Sequence, residues 1–346
     1  MPKINLPVTR YYGSKRKLVD LIWSELENIN VEFNSVLDVF GGSGIFSYYS
    51  KLRGKSVIYN DIFLFNQIIG EALIQNNSNE LSEEDVHNLL IREPNRIYQN
   101  YIAENFHDIY FTDEENYQID TVIQNIGFLP IERRASAYYL LFQSCLIKRP
   151  YNLFHRKNLN LRTNFNGGGF GNKVTWERPF KELFLKFNSE LNKYVFDNGQ
   201  NNISLNHSAL QCNLQADLVY IDPPYFRSVN HVPYHSKYHF LEGLANYNLI
   251  PENIDHTKLH REINLNKSNE FENKNTFLND LEELIEMHQN SIIAISYRSN
   301  GVPTIAEIES LLNQYKNNVR AINLKKYSYA LNSKGSENYE FLILGF

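Results

Sequence analysis

The chain has 346 residues and a formal net charge of −5, from 34 Lys and Arg against 39 Asp and Glu. That length buries a full α/β core with room for a sizeable insertion, while the acidic balance excludes a protein that is basic over its whole surface. No apolar run approaches 18 residues, and Cys145 and Cys212 form neither a C-x-x-C pair nor a disulfide framework, which excludes a membrane span and a disulfide-stapled secreted domain and points to the cytoplasm.

From the amino end, Tyr11-Tyr12-Gly13-Ser14-Lys15-Arg16-Lys17 is aromatic, then flexible, then basic. An amphipathic helix follows, with Leu18, Leu21, Ile22, Leu26 and Ile29 on one face. Gly-Ser-Lys at a helix start is either a cap with its first turn or a place where Lys15 and backbone N–H groups hold a carboxylate. Val36-Leu37-Asp38-Val39-Phe40-Gly41-Gly42-Ser43-Gly44 then reads as a strand, a glycine-rich turn and the opening of a helix. Glycines there let the backbone pass close to a ligand. The pattern is not G-x-G-x-x-G, which weighs against a dinucleotide. A second short strand at 56–59 ends in Asn60-Asp61. Asp61 lies 23 residues after Asp38 (61 − 38), close to the spacing at which such folds set an acid on ribose hydroxyls.

A helix and a strand are due within about 30 residues of the first strand unit. The next clear pair is a helix at 179–194 and a strand at 202–205. The delay marks an insertion, placed at 66–177, between catalytic segments 1–65 and 178–346. Its first half is acidic: residues 77–120 hold eleven Asp and Glu against Arg92 and Arg96. Ser82-Glu83-Glu84-Asp85 makes a helix start, and 132–147 reads as another helix. Residues 133–176 contain no Asp or Glu but carry Arg133, Arg134, Lys148, Arg149, Arg156, Lys157, Arg162 and Lys173. Tyr151, Phe154, Phe165 and Phe170 interleave with them, beside glycines at 167–169 and 171. Such a local basic band is the electrostatic footprint of a nucleic-acid binder; the alternative is a solvated loop whose charges point different ways. Basic groups contact phosphates, aromatic rings wedge where a base is displaced, and the glycines suit a segment that orders on DNA. Lys148, Arg149, Arg156, Lys157 and Arg162 are the candidate DNA contacts.

The apolar run Leu218-Val219-Tyr220-Ile221 stops on Asp222-Pro223-Pro224-Tyr225. It reads as a buried parallel strand, ended because proline cannot continue a ladder and pushes its predecessor to extended geometry. A carboxylate, a carbonyl and an aromatic ring are thus held on a stiff turn at a strand's carboxyl end, where open α/β sheets bind ligands. Beyond it, His231, His235 and His239 recur every four residues. On one helix they would stack as a metal face, but Pro233 would break that helix and no cysteine is near to complete a site. The expectation is a loop closing over the site, with no metal. The chain ends with a helix at 277–288, a buried strand at 291–297, a helix at 302–315 with Pro303 in its first turn, and a hairpin of 323–331 with 339–346.

Aromatic-Gly-Ser-Lys, Asp-x-Phe-x-Gly-x-Gly, Asn-Asp, an insertion and Asp-Pro-Pro-Tyr stand in an order that resembles the Dam-type adenine-specific DNA methyltransferases. The runs 148–162 and 239–245 look like restriction-modification members of that group, and the resemblance covers the chain outside roughly 66–130. It implies a Rossmann-like α/β methyltransferase sheet, with 66–177 as a helical and loop target-recognition insertion. It implies S-adenosylmethionine as cofactor, held by Tyr11, Lys15, Asp38, Phe40, Gly42, Gly44, Asp61 and Asp222. It makes Asp222, Pro223, Pro224 and Tyr225 the catalytic turn. Duplex DNA is the implied partner, acted on by a monomer beside a separate cognate restriction endonuclease. Asp-Pro-Pro-Tyr alone leaves open an amino group on RNA, protein or a small molecule; the motif order and the basic band favour duplex DNA.

Overall fold

The computed structural model describes residues 5–164, 173–225, 232–265, 269–326 and 339–346. Phe165, Phe170, the glycines at 167–169 and 171, His231 and the 327–331 part of the expected hairpin lie outside them. Among the described residues the strands are β1 (Ser35–Asp38), β2 (Ser56–Asn60), β3 (Ile203–Leu205), β4 (Leu218–Ile221), β5 (Ile254–Asp255), β6 (Glu262–Ile263), β7 (Ile292–Arg298), β8 (Val319–Lys326) and β9 (Tyr339–Gly345). β5 and β6 form a small antiparallel ribbon. The other strands make one sheet in the order β3-β2-β1-β4-β7-β9-β8, parallel from β3 to β7, with β9 and β8 antiparallel at one edge.

The chain steps outward from β1 to β2 and β3, then returns to the other side of β1 as β4. That reversal opens a crevice at the carboxyl ends of β1 and β4, the switch point where such sheets take ligands. Because β9 runs against β7, its first residues reach the same edge.

Successive strand residues face opposite sides. Val36, Leu218 and Tyr220 join one hydrophobic cluster, while Leu37, Val219 and Ile221 join another. Helices Phe277–Met287 and Ile305–Leu312 cover the second face. The first is covered by Val19–Glu27, Ile45–Leu52, Leu64–Gly70, Phe180–Tyr194 and Tyr234–Ala245. Helices Glu83–Leu89, Asp113–Ile126 and Ile131–Ile147 bury their apolar stripes in that same cluster. The expected helix starts at Ser82 with a full capping box, its hydroxyl accepting from the Asp85 N–H at 3.0 Å.

Two expectations need correction. Residues 234–239 are not a loop: the helix Tyr234–Ala245 begins immediately after Pro233, which sits at the N-cap, where its missing N–H leaves no helical bond unmade. His239 is buried there, its Nδ1 accepting from the Ile263 N–H at 3.0 Å and its Nε2 2.9 Å from the Tyr110 hydroxyl. Pro303 lies before its helix, not inside the first turn, because the Thr304–Glu307 capping box sets the start at Ile305. Among the described residues, no helix is long and apolar enough to cross a membrane.

Candidate active site

The glycine-rich turn is shaped by what crowds it. A Cβ on Gly41 would sit 2.1 Å from the Tyr59 ring, and Gly42 and Gly44 have φ of +47° and +70°. Only glycine enters those conformations freely. The resulting turn lays the Gly42 N–H on Asp61 Oδ2 at 2.9 Å, while Asp61 Oδ1 accepts from the Phe63 N–H at 2.9 Å. Burial pushes the Asp61 carboxyl up to about 6 despite these bonds. Tyr11 packs over Gly42 and stacks on Tyr238, with ring centroids 4.8 Å apart and planes 5° apart.

Asp222 follows β4 directly and faces this turn across the crevice. Lys15, in the short turn Lys15–Lys17, reaches over so that its Nζ is 2.7 Å from Asp222 Oδ1 and 3.2 Å from Glu340 Oε1. The Tyr225 hydroxyl lies 2.5 Å from Asp222 Oδ1 and 2.9 Å from Glu340 Oε1. Asp222 Oδ2 makes no hydrogen bond among the described residues, and the side chain is 19% exposed. Burial raises the Asp222 carboxyl above its ordinary range; Lys15 opposes that rise and Glu340 adds to it.

Tyr11, Lys15, Gly41, Gly42, Asp61, Asp222 and Tyr225 line one cleft, together with Tyr12, Gly13, Ser14, Phe40, Ser43, Ile62, Phe63, Tyr234 and Asn269, and Glu340 is buried behind Lys15 and Tyr225. Tyr11, Lys15, Phe40, Gly42, Asp61, Asp222, Pro223, Pro224 and Tyr225, all expected from sequence, meet there. Asp38 and Gly44 do not line it. Asp38 is buried behind the turn, with Oδ2 accepting from Ser47 Oγ at 2.7 Å and Oδ1 buried without a partner. Burial lifts its carboxyl to about 7. Sequence reasoning missed Glu340, Asn269 and Tyr234. Tyr12 and Ser43 adjoin recognised motifs, whereas nothing local marks Asn269 or Glu340.

The basic band divides. Lys148, Arg149 and Arg162, expected at a phosphate surface, are buried. Lys148 Nζ and the Arg162 guanidinium both hold Glu115, at 2.7 and 2.8 Å, and both donate to the Trp176 carbonyl. Arg149 bonds the Leu153 and Arg156 carbonyls at 3.1 Å and lies 4.3 Å from the Tyr110 ring centre. Its charge is spent on backbone oxygens and a π face. Arg156 is exposed, and Lys157 is half-exposed beside Asp108 at 2.9 Å.

Residues 11–311 match the family model of the D12 class N6 adenine-specific DNA methyltransferases. The type II methyltransferase M2.HphI of Haemophilus parahaemolyticus is 28% identical, over 97% of this chain and 94% of its own length. The modification methylase StsI of Streptococcus sanguinis is 26% identical over 96% of this chain and 51% of its own length. The type II methyltransferase M.FokI of Planomicrobium okeanokoites is also 26% identical, over 96% of this chain and 52% of its own.

Proposed function

The chain belongs to the D12 class N6 adenine-specific DNA methyltransferases, and on that premise we propose that it methylates an adenine turned out of duplex DNA, with S-adenosylmethionine as donor. The observation that carries this is the shared cleft, where the Asp222 turn faces Asp61 and the glycine-rich turn. The chemistry of the lining fits a cationic cofactor. Asp61 and Asp222 line the cleft with Lys15 as the one cation among its described residues, and Asp38 leaves a buried oxygen without a partner behind it. Asp61 suits sugar hydroxyls, while Tyr11, Phe40 and the Gly42 backbone suit the adenosine and methionine parts. When bound, S-adenosylmethionine supplies an electrophilic methyl group on a sulfonium.

The protein's own task is to make the target nitrogen nucleophilic. The exocyclic nitrogen of adenine is a weak nucleophile because its lone pair is delocalised into the ring. Asp222 Oδ2 and the Pro223 carbonyl each accept one of its N–H groups and draw it toward tetrahedral geometry. Pro223 and Pro224 stiffen the turn, so these acceptors need little reorganisation as positive charge grows on nitrogen. The Tyr225 ring, at the cleft wall and edge-on to Tyr297 at 5.3 Å, offers a face to the extruded base, whose extrusion costs a few kcal/mol. No proton has to leave first, so Asp222 acts as a positioning and electrostatic acceptor before it acts as a base.

The family and the relatives named as type II methyltransferases and as a modification methylase support a role in marking DNA beside a separately acting restriction endonuclease. A monomer with a single recognition insertion suffices for this. With methyl-labelled S-adenosylmethionine, the purified protein should place label on N6 of adenine in duplex DNA. Asp222→Asn should lower the rate by about 10²–10³, the usual effect of removing one preorganised group. Label found only in RNA or protein would overturn the reading.

A further inference from the structure

Glu340 is a fully buried carboxylate, the second residue of β9, which lies between β7 and β8. It sits opposite Arg298 in the β7–β9 register, and only the antiparallel run of β9 brings it to the carboxyl ends of β4 and β7. Its Oε1 gathers the Tyr225 hydroxyl at 2.9 Å, Ser296 Oγ at 2.9 Å and Lys15 Nζ at 3.2 Å. Lys15 and Tyr225 are the same two groups that hold Asp222 Oδ1. A Lys–Asp pair needs no second carboxylate, and burying one is unfavourable unless its bonds offset the lost hydration. A buried ion pair is itself weak evidence of a stabilising role. Two carboxylates around one ammonium therefore call for a different explanation.

We propose that Glu340 is a positioning residue for methyl transfer: it pins Lys15 and Tyr225 against Asp222 Oδ1 and so leaves Oδ2 to the target amino group. The Tyr225 hydroxyl has one proton and two carboxylates in reach, so Glu340 also fixes how that proton is shared. The inference rests on the reading of Asp222 as the amino-group acceptor. The groups that face Asp222 electrostatically are Lys15 from the amino-terminal turn, Glu340 from β9, Tyr225 from its own turn, and Tyr220 and Asp38 from β4 and β1. Glu340 raises the proton affinity of Asp222, so removing its charge should make Asp222 easier to ionise.

The test is methyl transfer to duplex DNA by wild type, Glu340→Gln, Glu340→Asp and Asp222→Asn, each followed from about pH 5, just above the ordinary carboxyl range, to about pH 8. Glu340→Gln should lose roughly tenfold to a hundredfold in kcat, as when a partner orienting a functional group is removed. KM for DNA should change little, and the acid limb of kcat should move to lower pH. Glu340→Asp keeps the charge but not the reach, so its kcat should fall while the limb stays in place. An unchanged kcat in Glu340→Gln, or a fall with an unmoved limb, would overturn the proposal. Should Glu340→Gln fail to fold, Glu340→Asp carries the test, and a limb that moves in it overturns the proposal. Full activity in Asp222→Asn would instead remove the acceptor reading itself.

Discussion

Asp38, Asp61, Asp222 and Glu340 sit within or directly behind a cleft whose described lining has Lys15 as its one cation. Burial makes each ionised carboxylate expensive, which is why Asp38 is raised to about 7 and Asp61 to about 6. A sulfonium brings the missing positive charge, whereas the thioether left after methyl transfer does not. Binding the cation favours the ionised carboxylates, so it releases protons and tightens as pH rises through this window. The ratio of affinities for S-adenosylmethionine over its thioether product should therefore climb between about pH 5 and about pH 8, by about tenfold for each unit by which the cation lowers one carboxyl. Calorimetry at several pH values measures this ratio directly, and other titrating groups largely cancel because both ligands meet them. A flat ratio would mean that these carboxylates do not sense the sulfonium. At this scale, the sequence showed most of the site because Tyr11 to Lys15, Asp38 to Gly44, Asp61 and Asp222 to Tyr225 each form a short local pattern. Glu340 was illegible, since it reaches Asp222 only through a strand reversal and a partner 118 positions away (340 − 222).

The insertion's charged segment shows why composition misleads at the level of an element. A run of basic residues without acids reads as a surface for phosphate, but Lys148 and Arg162 converge on Glu115, at the start of the Asp113–Ile126 helix. The acidic and basic halves of the insertion thus partly neutralise each other inside it. Burial pushes the Glu115 carboxyl up, yet its bonds to Arg162 and Lys148 leave it below its ordinary range. Its contribution to stability is present above the ordinary carboxyl pKa and lost as pH falls through the lowered one. Arg162→Ala leaves the largely buried Glu115 to Lys148 alone and should cost about 1–3 kcal/mol in denaturant unfolding. Arg156→Ala with Lys157→Ala should leave stability nearly unchanged. On the reading that these two exposed residues meet phosphates, the pair should weaken DNA binding and flatten its dependence on salt, because each lost phosphate contact releases fewer counterions. An unaltered salt slope would place the DNA surface elsewhere, and a stable Arg162→Ala would deny the buried role.

For the whole molecule, the succession of the parallel strands along the chain and the long delay before β3 were legible because apolar period and proline punctuation are local signals. How the insertion relates to the sheet was not, because a helix's apolar stripe does not say which surface it meets. Val86, Ile119 and Leu140 from the insertion join the cluster that holds Val36, Tyr59 and Tyr220 from the sheet. Tyr110 adds polar ties, its hydroxyl within 2.6 Å of the Phe154 carbonyl and 2.9 Å of His239 Nε2. Elements that share one core lose their burial together, so insertion and sheet should unfold as one cooperative unit. The chain has two tryptophans, which makes this measurable. Trp23 packs on the sheet side against Phe33, and Trp176 lies where Lys148 and Arg162 anchor the end of the basic segment. In Trp176→Phe the fluorescence reports the sheet layer, and in Trp23→Phe it reports the insertion. Each variant's fluorescence midpoint should coincide with its own circular-dichroism midpoint, even if the two variants differ in absolute stability. A Trp176 signal that melts well before the helical signal in Trp23→Phe would show an insertion that opens independently of the sheet.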